Sequence, residues 1–256
     1  MRVVSLACSN TEIVCALGCE DLLVGVDDHS DRPVEVVADL PRLGPDLEID
    51  IAAVCDLEPD LVLASLTVPG HEKVIEDLEE AGLEYLVFEP LSLKDILSSI
   101  REIAAALEVK EKGERLIRDM RACFQEGQYF SKTPKVLVQW WNHPSIVPAR
   151  YSWVTEMIAL AGGINPLKDT GKKSTSLEDK DVALINPDVI ILSWCGVDVR
   201  KYRPEVIYAN QRWQEVKAVK QHQVFSIPEA YLGRPGPGLM QGFIALKEII
   251  RQVAKN

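Results

Sequence analysis

The sequence predicts an α/β protein built as two lobes of like plan, and three observations carry that expectation. Short apolar runs alternate with helical stretches, the pattern of successive βα units. The segment Leu57-Glu58-Pro59-Asp60-Leu61-Val62-Leu63-Ala64-Ser65 returns as Ile185-Asn186-Pro187-Asp188-Val189-Ile190-Ile191-Leu192-Ser193, with Pro, Asp and Ser at matching offsets. Between the two copies lies an amphipathic stretch from Lys110 to Glu126 with no strand character. One plan used twice across a helical divider reads as an internal duplication.

Taken in order, Arg2–Ala7 is a short apolar run that fits a buried parallel strand. Ser9, with Glu12 three residues later, has the form of a capping box, so a helix is expected from Ser9 until Gly18 stops it. Leu22–Val26 reads as a second strand, followed by a polar loop, Asp27-Asp28-His29-Ser30-Asp31, that ends at Pro33. A short helix is expected at Ile51–Leu57, then a turn at Pro59-Asp60 into an apolar strand. Glu72–Ala81 reads as a helix ended by Gly82, and Glu84–Phe88 as a strand. A long helix reaches from Ser92 to about Leu107. In the next one, Leu116, Ile117, Met120, Cys123 and Phe124 share one face of a 3.6-residue period.

The second block opens with a strand at Lys135–Trp140, a loop at Trp141-Asn142-His143-Pro144 and a helix from Ser152 to Ala161 before Gly162-Gly163. A polar loop leads to the repeated Pro-Asp strand. The chain then offers a strand at Gln223–Ile227, the loop from Pro228 to Gly238 and a helix from Leu239 to Val253. The predicted division is 1–108 for the N-terminal lobe, 109–131 for the linking helix and 132–256 for the C-terminal lobe.

Open parallel sheets bind ligands at the carboxyl ends of their strands. The loops expected there carry Ser9, Asn10, His29, Trp141, Trp194, Tyr231 and Arg234, which are the candidate ligand-binding residues. Flat rings suit a large planar ligand because each buries area with little rotamer freedom to lose. Arg234 follows Tyr231 on a proline-stiffened loop and could offer a fixed charge to a ligand's edge. Trp140 and Trp194 read equally well as core residues plugging the end of the sheet.

The chain has 256 residues, 47% of them hydrophobic, and a formal net charge of −11. Such an acidic chain, without a Lys/Arg cluster, is a poor match for a nucleic-acid phosphate backbone. No apolar run reaches the ~18 residues of a spanning helix. Polar Ser9, Asn10 and Glu12 interrupt the apolar start too early for a secretory signal, so a cytoplasmic location is expected, or a periplasmic one had a leader been trimmed. The six cysteines lack CxxC or finger spacing and read as buried thiols.

The opening VVSLACSNTEIVCALG, then LLVGVDDHSDRP, LEPDLVLAS, its echo INPDVIILSW and the closing Tyr-Leu-x-Arg-Pro-Gly-Pro stretch together resemble the cobalamin- and ferric-siderophore-binding class of ABC-transporter solute-binding proteins. The resemblance runs in order along nearly the whole chain. It implies two Rossmann-like lobes joined by a single long backbone helix, the class III periplasmic-binding-protein plan. It also implies a corrinoid ligand (cobalamin or cobinamide) or a related chelate such as haem or a ferric siderophore. In the cobalamin-binding members an aromatic residue after the VGV strand contacts the corrin. Here that position is His29, which keeps a flat ring and adds a donor for cobalt or another metal; a solvated loop histidine beside Asp27, Asp28 and Asp31 is the equal alternative. Transporter-coupled members carry a docking glutamate in each lobe. The positions counted back from Pro59 and Pro187 hold Ala52 and Lys180, which points away from docking to a permease, although Asp50, Glu178, Asp179 and Asp181 lie nearby.

Two other readings stand beside this one. His29, His71 and His143 with Asp27 or Glu229 could converge as a direct transition-metal site. An enzyme acting on a corrinoid or metal chelate is the other, but GxSxG, P-loop, HExxH and GxGxxG fingerprints are all missing, and binding without catalysis is expected.

Overall fold

The computed structural model describes residues 1–125 and 133–255. The chain divides into two compact units. The first comprises Met1–Pro90 and Lys94–Asp119, and the second Leu91–Leu93 and the described residues from Met120 onward. Both are α/β, as expected.

In the first unit the strands β1 (Val3–Ser5), β2 (Leu23–Val26), β3 (Leu61–Ser65) and β4 (Tyr85–Phe88) form one sheet in the order β2-β1-β3-β4. Every pairing is parallel, so all four carboxyl ends open on one edge. The helices α1 (Cys8–Ala16), α2 (Val34–Val37), α3 (Ile51–Asp56) and α4 (His71–Glu80) fill the connections. Val4, Val54, Val62 and Leu78 are fully buried between sheet and helices, each such side chain contributing about 1.5–3 kcal/mol.

The helix α5 (Leu93–Ala106) turns back into α6 (Lys110–Cys123). Gly113 lets the two approach closely: a Cβ there would stand 2.4 Å from the Ala104 Cβ. Helix α6 contributes residues through Asp119 to the first unit and from Met120 to the second. Glu126, the expected end of this helix, lies outside the described residues.

The second unit has a parallel sheet of β5 (Val136–Gln139), β8 (Val189–Leu192) and β9 (Val224–Ser226), in the order β5-β8-β9. Two strands went unread in the sequence, β6 (Ser145–Pro148) and β7 (Ser174–Leu177), which pair antiparallel. Neither signals itself: SIVP carries a proline and STSL lacks apolar alternation. The helices α7 (Trp153–Leu160), α8 (Asp179–Ile185), α9 (Pro204–Tyr208), α10 (Lys217–Lys220) and α11 (Leu239–Ala254) complete the unit. Ser152 caps α7, accepting from the Val154 N–H.

The repeated motif is built alike in both units. Glu58 and Asn186, each before the proline, take left-handed φ values of 46° and 48°. Asp60 then accepts the Arg2 N–H at 2.6 Å, and Asp188 the Lys135 N–H at 2.9 Å. The carboxylate thus fixes the start of the neighbouring strand in each sheet.

Two expectations need correcting. The Ser9–Glu12 capping box does not form: Ala7 stands at the cap of α1, which starts a residue earlier, without a side-chain cap bond. The cysteines are free, but only Cys19 is buried, while Cys55 and Cys195 are exposed.

Candidate ligand-binding site

At the carboxyl edge of the first unit, Ser9 and Asn10 are buried in the first turn of α1. Asn10 Nδ2 donates to the Ala64 carbonyl at 3.0 Å, so this side chain ties α1 to β3 rather than presenting its amide to solvent. His29 is placed by a buried polar chain. The Asp27 carboxylate, 1% exposed, accepts the His29 backbone N–H at 3.1 Å and the Ser30 hydroxyl. Ser30 in turn meets Thr11 at 2.7 Å, and Thr11 donates to Ser5 at 2.8 Å. Burial pushes the Asp27 carboxyl up from its ordinary value, against the lowering pull of its bond from Ser30.

Arg42 closes the same loop from outside. Its Nη1 donates to the carbonyls of Asp27 and Ser30 at 3.0 and 2.6 Å, and its Nη2 to Val37 at 3.0 Å. A planar fork with several donors suits a loop whose carbonyls converge.

The His29 imidazole faces Asp46, with Nε2 3.4 Å from Oδ1, and the His71 Nε2 lies 3.2 Å from the other oxygen, Oδ2. His29 is 47% exposed at its side chain and His71 only 5%. The bond from His71 holds the Asp46 carboxyl below the ordinary carboxylate range. Asp46 was invisible in the sequence, since it follows Pro45 in a loop without periodicity or motif. His71, considered there only as a metal ligand, stands at the first residue of α4.

At the carboxyl edge of the second unit the hub is Gln139. Its Nε2 donates to Ser145 Oγ at 2.9 Å and its Oε1 accepts from Trp194 Nε1 at 3.1 Å. Trp194 is 9% exposed and packs on Tyr202 with ring centroids 5.3 Å apart. The core alternative considered for it therefore describes its place, and a freely exposed stacking face does not. The Tyr202 hydroxyl donates to the Trp194 carbonyl at 3.0 Å and accepts the Glu229 N–H at 3.2 Å, and burial raises its pKa.

Arg234 is held within its own loop. Its side chain is 9% exposed and its Nε donates to Glu229 Oε2 at 3.0 Å; a guanidinium so placed braces its own loop. The loop is seated on α11 at Gly242, where a Cβ would fall 1.8 Å from the Tyr231 carbonyl oxygen. Trp153 Nε1 adds a bond to the Leu232 carbonyl at 2.8 Å. Of the predicted aromatic residues, Trp141 stays 45% exposed and Tyr231 half-buried.

Over residues 3–231 the chain matches the family described as Periplasmic binding protein. It belongs to that family. This binding protein is 28% identical to the vitamin B12-binding protein of Vibrio cholerae over 92% of its own length and 84% of that protein. It is 29% identical to the uncharacterized ABC transporter substrate-binding lipoprotein YvrC of Bacillus subtilis, over 97% of its own length and 79% of that one. Among solved structures, the apo periplasmic heme-binding protein RhuT from Roseiflexus sp. RS-1 superposes with a TM-score of 0.83 at 26% identity, covering 99% of this binding protein and 98% of that chain. The fold is therefore the class III periplasmic-binding-protein type, and the family and its structural neighbours are substrate-binding proteins rather than enzymes.

The direct-metal reading fares differently. His29 and His71 meet at Asp46, but His143 lies exposed in the second unit. Among the described residues no group of three or more His, Cys, Asp or Glu side chains stands as a metal-holding set.

Proposed function

We propose that this protein captures a planar metal chelate, a corrinoid or haem, through the loops at the carboxyl ends of its strands. The observation that carries the reading is the set of accessible flat rings on those loops, His29 after β2, Trp141 after β5 and Tyr231 after β9. Relatives named for vitamin B12 and heme binding support the same ligand class. Asn10 in the first unit, and Trp194 and Arg234 in the second, brace these loops, while Ser9 is buried beside Asn10. The test is absorption spectroscopy of the protein titrated with cobalamin, cobinamide, haemin and a ferric siderophore. Saturable spectral change with a corrinoid or haemin is expected; indifference to all four would end the reading.

The cytoplasmic expectation finds no support among relatives named periplasmic or lipoprotein, and we read the working location as outside the cytoplasmic membrane. Fractionation of source cells decides it. Docking to a permease does not rest on glutamates at the expected places: Ala52 is exposed on α3, and Lys180 pairs with Glu178 at 2.7 Å. Three of the neighbouring carboxylates serve as helix caps, Asp50 accepting the Ala53 N–H at 3.0 Å and Glu178 with Asp181 forming a capping box.

A further inference from the structure

In the first unit, a single carboxylate is shared by two imidazoles whose proton positions it can dictate. The His71 side has a defined tautomer. Its Nδ1 accepts the Val68 backbone N–H at 3.5 Å, so the ring proton sits on Nε2 and points at Asp46 Oδ2, 3.2 Å away. His71 is nearly buried, which fixes Asp46 from one side. The other oxygen, Oδ1, faces His29 Nε2 at 3.4 Å. A carboxylate only accepts, so the favoured neutral form of His29 carries its proton on Nε2 and leaves the lone pair on Nδ1.

We propose that Asp46, locked by His71, is a positioning residue that presents the His29 Nδ1 lone pair as an axial donor to the metal of a bound chelate. The inference rests on the chelate reading above. A carboxylate behind a ligating histidine sets its tautomer and raises its basicity. The step is a ligand exchange: Nδ1 forms a dative bond to the metal, an axial water leaves, and no oxidation state changes. One donor suffices for this task because the macrocycle supplies the equatorial ligands itself. The surroundings fit an apolar ring edge: Leu47 and Val68, adjoining this cluster in the chain, are 44% and 40% exposed. Leu47 also lies against Gly70, where a Cβ would stand 3.1 Å from its Cδ2.

The experiment uses the parent protein with His29→Ala, Asp46→Asn and His71→Gln, and the probes aquocobalamin and ferric haemin. Affinity, the visible spectrum of the bound metal, the paramagnetic-resonance spectrum of the ferric haemin complex, and thermal stability are measured for each. Imidazole nitrogen–proton correlation spectra of the ligand-free protein report the tautomers directly. Replacement of the axial water by a nitrogen ligand is expected in the spectra of the parent, and retention of the water in His29→Ala. Asp46→Asn should weaken binding roughly tenfold to a hundredfold, and His71→Gln should shift it the same way. In the ligand-free protein His29 should carry its proton on Nε2, a preference that Asp46→Asn erases even where stability is kept. If a probe binds His29→Ala with an unchanged spectrum, the chelate reading stands and this proposal falls. A parent His29 protonated on Nδ1 sinks it whatever the ligand does. If neither probe binds the parent, both fall together.

Discussion

Asp188 accepts the backbone N–H of Lys135 at 2.9 Å, joining the turn before β8 to the start of β5 across 53 positions of chain. The side chain is only 7% exposed and also faces Lys217 Nζ at 3.5 Å. In the first unit the equivalent Asp60 side chain is 60% exposed. Removing Asp188 strands a part-buried donor, whereas water can replace Asp60. Asp188→Ala should therefore cost about 1–3 kcal/mol and Asp60→Ala less than about 1 kcal/mol. Urea unfolding of the two variants measures the difference, and equal costs would contradict it.

The glycines offer a second contrast. Gly242→Ala cannot be accommodated without lifting the Tyr231 carbonyl, 1.8 Å from the added carbon. It should lower stability by about 1–3 kcal/mol and weaken binding of whichever probe the parent takes. Gly82→Ala meets nothing within 4 Å but sits at φ +68°, so it should cost about 1 kcal/mol and leave affinity alone. Calorimetry with titration of both variants separates the effects.

Two carboxylates should bend the acid limb of stability in opposite senses. Asp46 titrates below its ordinary carboxylate value in the folded protein, chiefly through the His71 bond. Its contribution is present above the unfolded pKa and is lost as pH falls through the folded one. Asp27 titrates above its ordinary value, chiefly through burial. The folded state then holds its proton longer, and stability declines as pH rises from the unfolded pKa through the folded one. Midpoints recorded from pH ~2.5 to ~7 should show Asp46→Asn flattening the acid loss and Asp27→Asn flattening the opposing slope.

Stacking and packing should separate cleanly among the aromatic residues. Trp141→Ala and Tyr231→Ala remove accessible rings and should weaken ligand binding by about 1–3 kcal/mol with little loss of stability. Trp194→Ala empties a packed site under Tyr202 and should cost about 3–5 kcal/mol of stability. His222→Ala, on an exposed residue, is the neutral control. Isothermal titration and chemical unfolding of all four check the division.

The sheet strands were legible because parallel strands buried on both faces read as unbroken apolar runs, as at Val189–Leu192. The Pro-Asp repeat marked their register. What escaped was structure held by long-range polar contacts. The β6–β7 pair depends on partners 26 to 32 residues apart, from Pro148 with Ser174 to Ser145 with Leu177, and no local period announces it. The strand-end argument placed His29 after β2 and Tyr231 after β9, where the structure has them. It could not see that Trp194 turns its N–H inward to Gln139, or that Glu229 claims Arg234. Asp46 left no trace, because its meaning comes from two histidines that arrive from the loop after β2 and the start of α4.

The missing side chain at Gly242 limits how this molecule can change its tastes. With the Tyr231 carbonyl resting on the first turns of α11, the loop above has a fixed foundation but a free crest. A lineage moving between cargoes of similar outline could swap the crest residues one at a time, each swap leaving the foundation untouched. The reverse path, re-seating the loop to suit a new cargo, would need helix and loop to change in the same step.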